Sequence, residues 1–444
     1  MKSFVPALMR AVLVPLALGI ASGAHAQTEI QWWHSMTGAL NDRVNELAKG
    51  FNESQKQYKV VPVFKGQYPE SMAAAIAAFR SGNAPNILQV FEVGTATMMG
   101  AKGAIKPVGA VMRDAGEKFD PKSYISAVAG YYTTSKGEML SFPFNSSTPV
   151  FYYNKDVFAK AGLDPNRAPQ TWPEVMAAAA KIKASGASQC AYTTGWPSWV
   201  HVENLSAWHN VPIGTKENGM AGLDTVFQIN SPLHVRHWNN LKEWNSKGYF
   251  TYGGRTNQAE AKFYSGECAM LTSSSAAQAN INRNAKFKYG VAMMPYYADV
   301  EGAPQNSIIG GASLWVMAGK TPDEYKGVAK FLNYLADPQR QATWHQQTGY
   351  LPITPVAYDI TKNSGFYEKN PGTDVSVRQM MNKPATPNSK GLRFGSFVQI
   401  REIFDEELEN MLAGKQDAKA ALDNSVKRGN EMLRRFEKTA KDAG

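Results

Sequence analysis

The sequence predicts an α/β protein of two lobes, each a sheet flanked by helices, with a hinge between them. Three observations carry this. Strand and helix patterns alternate from residue 29 onward, a polar, proline-bounded crossing interrupts them at residues 141–149, and a second α/β series follows. The chain has 444 residues, which at roughly 100 to 200 residues per domain suggests two or three domains or lobes.

Glu29-Ile30-Gln31-Trp32-Trp33 reads as a strand, and Leu40, Val44, Leu47, Ala48 and Phe51 then share one helical face. Val60 to Phe64 is a second strand, Met72 to Phe79 a second helix stopped at Gly82, and Ile87 to Phe91 a third strand ending at Glu92. This alternation implies a mainly parallel sheet with helices on both faces. In such sheets ligands sit beyond the carboxyl ends of the strands, where Tyr68 and Glu92 fall.

The segment Ser141 to Pro149 reads as an inter-lobe connection before the strand Val150 to Tyr153. Thr171-Trp172-Pro173-Glu174 is a capping box that opens a helix: the Thr171 side chain accepts from the Glu174 amide and the carboxylate returns the bond. Cys268 to Ser273 forms a strand ending in Ser273-Ser274-Ser275, and Tyr289 to Met293 another that stops at Pro295. Gly310-Gly311 precedes the strand Ala312 to Met317. Val328, Phe331, Leu332 and Leu335 then mark a helix closed by Asp337-Pro338, a return to the first lobe. The last stretch is helical, Ile400 to Leu412 with Gly414 closing it, then Ala418 to Phe436. The expected division is a signal over 1–26, lobe 1 over 27–144 with a return at 309–358, lobe 2 over 145–308, and a C-terminal helical segment, 359–444, packed on lobe 2.

At the N-terminus Lys2 and Arg10 precede and flank a charge-free run from Ala11 to Ala21, and Ala24-His25-Ala26 follows. That pattern reads as a secretory signal cleaved before Gln27. The apolar run is short of the about 20 residues of a spanning helix, and no lipid-acceptor Cys follows it. The expected location is therefore extracytoplasmic. Net charge is +10, but the basic residues are dispersed, so nucleic acid is not an expected partner. Cys190 and Cys268 lie in a compartment where disulfides persist, and spacing leaves a bridge and two buried thiols equally open.

No GxSxG, HExxH or Walker loop occurs, so no catalytic residue is expected, and no cofactor. His234-x-x-His237 is the one close histidine pair. Without nearby Cys or paired carboxylates it points to surface histidines, not a metal site. Trp196 and Trp199 suit either polyol stacking or core anchoring. Gly310-Gly311 is most simply a turn, though glycine amides can also approach a phosphate.

Several segments carry a resemblance. Tyr152-Tyr153-Asn154-Lys155-Asp156, Ala161-Gly162-Leu163, Thr171-Trp172 and Thr348-Gly349-Tyr350-Leu351-Pro352 resemble the extracellular solute-binding proteins of ABC importers, in the branch related to maltose-binding protein. Trp33-His34-Ser35-Met36, Gln89 to Met99, Pro143 to Pro149, Ile308 to Trp315 and Gln399-Ile400-Arg401 are similar to the members of that family that take sn-glycerol 3-phosphate. The resemblance implies the periplasmic-binding-protein fold, lobe closure on a phosphate ester, periplasmic location, and transient docking on membrane permease subunits as a monomer. It also extends the expected ligands to glycerophosphodiesters such as glycerophosphocholine.

By position it implies a ligand shell of Tyr68, Ser147, Ser274, Gly311 through its amide, Tyr350 and Arg401, with Arg401 and the hydroxyls on phosphate. Glu92 would accept from glycerol hydroxyls, and Trp196, supported by Trp199, would cover the carbon chain. Ala276 stands where the family carries Gly, which leaves the choice within Ser273 to Ser275 open. Ala187-Ser188-Gln189 is one residue longer than the family pattern, which leaves the placing of the Trp196 loop open. An uncharged sugar is the alternative ligand, and a periplasmic phosphodiesterase or phosphatase the alternative class. The latter would need a metal or an activated nucleophile that is not visible here.

Overall fold

A computed structural model describes residue 1 and residues 27–101, 103–134 and 136–442. The expected signal segment thus lies outside the described residues. Sheet one contains β1 (Thr28–His34), β2 (Tyr58–Phe64), β3 (Ile87–Phe91) and β4 (Phe142–Ser147). Sheet two contains β5 (Pro149–Asn154), β6 (Cys190–Thr194), β7 (Phe250–Tyr252), β8 (Cys268–Ser274) and β9 (Tyr289–Ala292). The chain then returns to sheet one through β10 (Gly310–Val316). The orders are β2-β1-β3-β10-β4 and β7-β6-β8-β5-β9.

The sheets are mixed, where the sequence pattern pointed to mainly parallel ones. Pairing is parallel among β2, β1 and β3 and among β7, β6 and β8, but β10 and β5 run antiparallel to both of their neighbours. The cause is the crossing itself. Strands that end at the cleft run one way, whereas β5 and β10 are the strands by which the chain enters each lobe from the cleft, and so run back.

Local chemistry sets the helices. Helix α1 (Ala39–Ser54) buries Leu40, Val44, Ala48 and Phe51, the four-residue recurrence of one helical face. Helix α2 (Tyr68–Arg80) starts earlier than the apolar pattern suggests, because Gln67 and Glu70 form a capping box there. The Thr171–Glu174 box opens the helix Trp172–Ser185 as expected, and Gly186 in the left-handed conformation ends it. The helices Phe397–Leu412 and Ala418–Asp442 rest on second-lobe elements: Asn430 Oδ1 accepts from Phe227 N at 2.9 Å, and Arg255 pairs with Glu409 at 2.6 Å.

Cys190 and Cys268 are disulfide-bonded where β6 and β8 pair in register. His234 and His237 are fully buried rather than on the surface. They occupy the inward face of the helix Pro232–Ser246 with Trp238, Leu241 and Trp244. Ser206 and Ser231 hydroxyls satisfy His234, and His201 and Tyr297 satisfy His237, so the rings are buried without charge. Among the described residues no helix is long and apolar enough to cross a membrane, and no three His, Cys, Asp or Glu residues cluster as metal ligands would.

Candidate functional site

Between the two sheets, at the strand ends that face each other, lies a cavity of about 610 Å³ including its mouth. All nine residues named from the sequence line it. Lobe one contributes Tyr68, Glu92, Ser147, Gly311 and Tyr350; Trp196, Trp199, Ser274 and Arg401 come from the other side.

Tyr68 is the first residue of α2 and stacks on Phe91, with centroids 5.0 Å apart and planes at 8°. Its hydroxyl accepts from Asn145 Nδ2 at 3.2 Å. Asn145 Oδ1 in turn accepts from Gln89, whose other amide atom accepts from Ser35 N, so a buried polar chain braces this wall. The hydroxyls of Tyr68 and Tyr350 come together beside Asn145. Burial holds both phenols protonated, well above their ordinary range, so they can donate to an anion.

Ser147 and Gly310 are paired across β4 and β10, which brings Ser147 beside the glycine pair. Both glycines have physical reasons. A Cβ on Gly311, which has φ +93°, would sit 2.0 Å from the Asn145 carbonyl oxygen, and one on Gly310 would lie 2.4 Å from the Trp199 ring. Across the cleft, Ser274 accepts from Ala276 N at 3.1 Å, and Ser273 instead donates to Glu260 at 2.8 Å. Of the serine run, Ser274 is therefore the one on the cavity wall.

Arg401, on the helix Phe397–Leu412, makes the bonds that sequence reasoning did not anticipate. Its Nε and Nη2 grip Glu203 at 2.8 and 2.7 Å, and Nη2 also donates to Glu92 at 2.8 Å. Glu203 is fully buried on the π-helical turn Trp199–Asn204. Burial pushes the Glu92 carboxyl up to about 7, with Glu203 adding to the rise and Arg401 opposing it. Burial acts to lower Arg401, but the two carboxylates override it and hold the guanidinium charged. Burial likewise lifts Asp405 to about 7; it accepts from Ser198 at 2.6 Å. What remains for a ligand is an acceptor, Glu92, beside a donor, the Nη1 edge of Arg401. That is the pattern a diol satisfies.

Two atoms of the cavity wall, Ser35 Oγ and Trp199 Nε1, are buried and hydrogen-bond no described group. Trp196 is held at φ +52°, a strained backbone for a residue other than glycine. The lobes also touch beside the cavity. Asn280 Oδ1 accepts from Ala39 N at 2.9 Å, capping α1, which has no side-chain cap of its own, and Asn257 bridges Gln67 and Thr37.

Sequence reasoning missed Glu203, Glu260, Asn257 and Ser35. A single acidic residue among the large apolar side chains of Trp199, Val200, Val202 and Leu205 was the one visible sign of Glu203.

A family model described as bacterial extracellular solute-binding protein matches residues 46–374. The sn-glycerol-3-phosphate-binding periplasmic protein UgpB of Yersinia pseudotuberculosis is 56% identical over 97% of this chain and 98% of its own. That of Escherichia coli O1:K1 / APEC is 56% identical over 96% and 98%. Among solved structures, UgpB from Mycobacterium tuberculosis in complex with glycerophosphocholine superimposes with a TM-score of 0.76 at 22% identity, covering 92% of this chain and 99% of that one. Maltose-bound T. maritima MalE3 gives 0.73 at 17% identity, covering 91% and 99%. The chain belongs to the bacterial extracellular solute-binding protein family.

Proposed function

We propose that this protein captures sn-glycerol 3-phosphate in the periplasm by closing its lobes on it and delivers it to the permease subunits of an ABC importer, without chemical turnover. The carrying observation is the cleft, where a hydroxyl cluster and a carboxylate–guanidinium pair face one cavity from two lobes. The name shared by relatives 56% identical over nearly the whole chain supports the ligand.

The geometry favours one orientation. Glu92 and Glu203 neutralise Arg401, so the glycerol hydroxyls go to the Glu92–Arg401 pair. The phosphate goes to Tyr68, Ser147, Ser274, Tyr350 and the Gly311 amide, away from the carboxylates. This moves Arg401 from the phosphate, where the sequence reading put it, to the diol. Trp196 and Trp199 cover the carbon chain.

The lobes are 27–147 with 309–358, and 148–308 carrying 359–444, the first boundary lying later than the expected residue 144 because β4 runs on to Ser147 in sheet one; the protein works as a monomer and takes no nucleic acid. Closure follows because the ligand touches both lobes and so favours the closed form by its differential affinity. Micromolar binding, about −8.2 kcal/mol, over ten heavy atoms asks for roughly 0.8 kcal/mol per atom, below the ceiling of about 1.5. Direct bonds in a cleft largely closed to water supply that.

Thermal denaturation tests the reading. Glycerol 3-phosphate raises the Tm while glycerol and maltose do not, and the ester is recovered intact. Stabilisation by maltose alone would favour a sugar ligand, and release of phosphate would mean an enzyme.

A further inference from the structure

One lining group has no task in the capture of a simple phosphate monoester. Glu260 is 5% exposed, and its one side-chain partner is the Ser273 hydroxyl at 2.8 Å. The nearby Lys262 is engaged by Glu267 at 2.8 Å, and among the described residues no cation pairs with Glu260. Glu92 and Glu260 line the cavity and Glu203 stands behind Arg401, so three carboxylates surround this site against one guanidinium. A third carboxylate beside a dianionic ligand is repulsive.

Its surroundings suit a cation. The Thr256 carbonyl, four residues before Glu260, accepts from Trp196 N at 2.9 Å, which ties the Glu260 segment to the Trp196 loop. Across the cleft the Tyr68 ring lies 6.2 Å from that of Trp196. Aromatic faces with a carboxylate behind them are the usual recognition chemistry for an alkylammonium group. The strained backbone at Trp196 keeps the indole at this wall. Ser147, Ser274 and Glu260 line the same cavity, so one ligand can meet the hydroxyl cluster and this carboxylate together.

We propose that Glu260, with the ring faces of Trp196 and Tyr68, forms a headgroup subsite that selects glycerophosphodiesters carrying an ammonium group over those carrying a neutral alcohol. The inference rests on the capture reading and names a specificity-determining residue for it. In a zwitterionic diester the single phosphate charge stays with the hydroxyl cluster and the ammonium pairs with Glu260.

The test is calorimetric titration of the mature protein and its Glu260→Gln variant with sn-glycerol 3-phosphate, glycerophosphocholine and glycerophosphoglycerol. The wild type binds the choline diester about tenfold or more tightly than the glycerol diester. Glu260→Gln removes that preference and, by removing a like charge, leaves the affinity for the monoester equal to or greater than that of the wild type. Equal binding of the two diesters by the wild type, or a preference that survives the substitution, overturns the subsite while leaving capture intact. Loss of all three ligands from the wild type overturns the capture reading and the subsite with it. Should the variant not fold, the wild-type comparison of the two diesters decides alone.

Discussion

The cleft and the interior of the second lobe both bury a dense set of polar groups, and they treat them differently. In the lobe interior Thr272, Tyr192, His201, His237 and Tyr297 form one run with successive contacts of 2.6, 3.2, 2.9 and 2.8 Å. Each imidazole and hydroxyl in it has a partner. In the cleft the charges do not balance, Ser35 Oγ and Trp199 Nε1 have no partner, and a cavity lies against them. Unpartnered atoms also occur in the packed core, as at Trp172 Nε1. The void beside them, not buried polarity alone, therefore marks the binding surface.

The largest effect expected from this contrast is at Arg401. Arg401→Ala leaves Glu92 and Glu203 buried without a cation, which costs about 3–5 kcal/mol of stability in urea denaturation. It also weakens ligand binding by about a hundredfold or more in calorimetry. A variant with wild-type stability would show that the carboxylates are not ionised there.

His234→Leu strikes the other region. It leaves the Ser206 and Ser231 hydroxyls without their imidazole partner and costs about 1–3 kcal/mol, with the dissociation constant unchanged. A changed dissociation constant would break the distinction between the two regions.

The regions also answer pH with opposite sign. Burial lowers His234 to about 3, below its unfolded value near 6.5, so the native state binds fewer protons and stability falls as pH drops below about 6.5. Burial raises Glu260 to about 7, above its unfolded value near 4.5, so its contribution is favourable at low pH and is lost as pH rises through 7. From pH 7.5 to 5, the stability advantage of wild type over His234→Leu shrinks by about 2 kcal/mol, while its standing against ligand-free Glu260→Gln improves by about 2 kcal/mol. Chemical denaturation at the two pH values measures both, and slopes of the same sign would contradict the assigned environments.

The smallest effect is at the lobe contact. Asn280 does not line the cavity, yet it caps α1 across the cleft. Asn280→Ala removes about 1 kcal/mol from the closed form and weakens binding about fivefold without touching the ligand. Hydrogen exchange at Ala39 should then stay fast in the ligand complex. Protection equal to wild type would mean that the cap is not used on closure.

Much of this was legible in the sequence for local reasons. Periods of two and 3.6 located the strands from Glu29 and the face of α1, and the Thr171–Glu174 box was read directly. The long segments shared with the solute-binding family contained Glu92, Ser147, Gly311, Tyr350 and Arg401, five of the nine lining residues, and the family likeness by position supplied Tyr68, Trp196, Trp199 and Ser274. What was hidden depends on the fold. Arg401 meets Glu203 and Glu92 across 198 and 309 residues, a pairing that no local pattern encodes. The inward turn of His234 and His237 follows from the helix face they share with Trp238 and Leu241, and the reversal of β5 and β10 from the crossings between lobes.

The central claim is that a glycerol phosphate ester is held between the lobes, phosphate on the hydroxyl cluster and diol on the Glu92–Arg401 pair. A crystal structure of the protein grown with sn-glycerol 3-phosphate tests it most directly. The account predicts the phosphorus beside Ser147, Ser274, Tyr68 and Tyr350, with two glycerol oxygens at Glu92 and Arg401. A phosphate bonded to Arg401 in place of Glu92, or an ester bound outside the cleft, would contradict it.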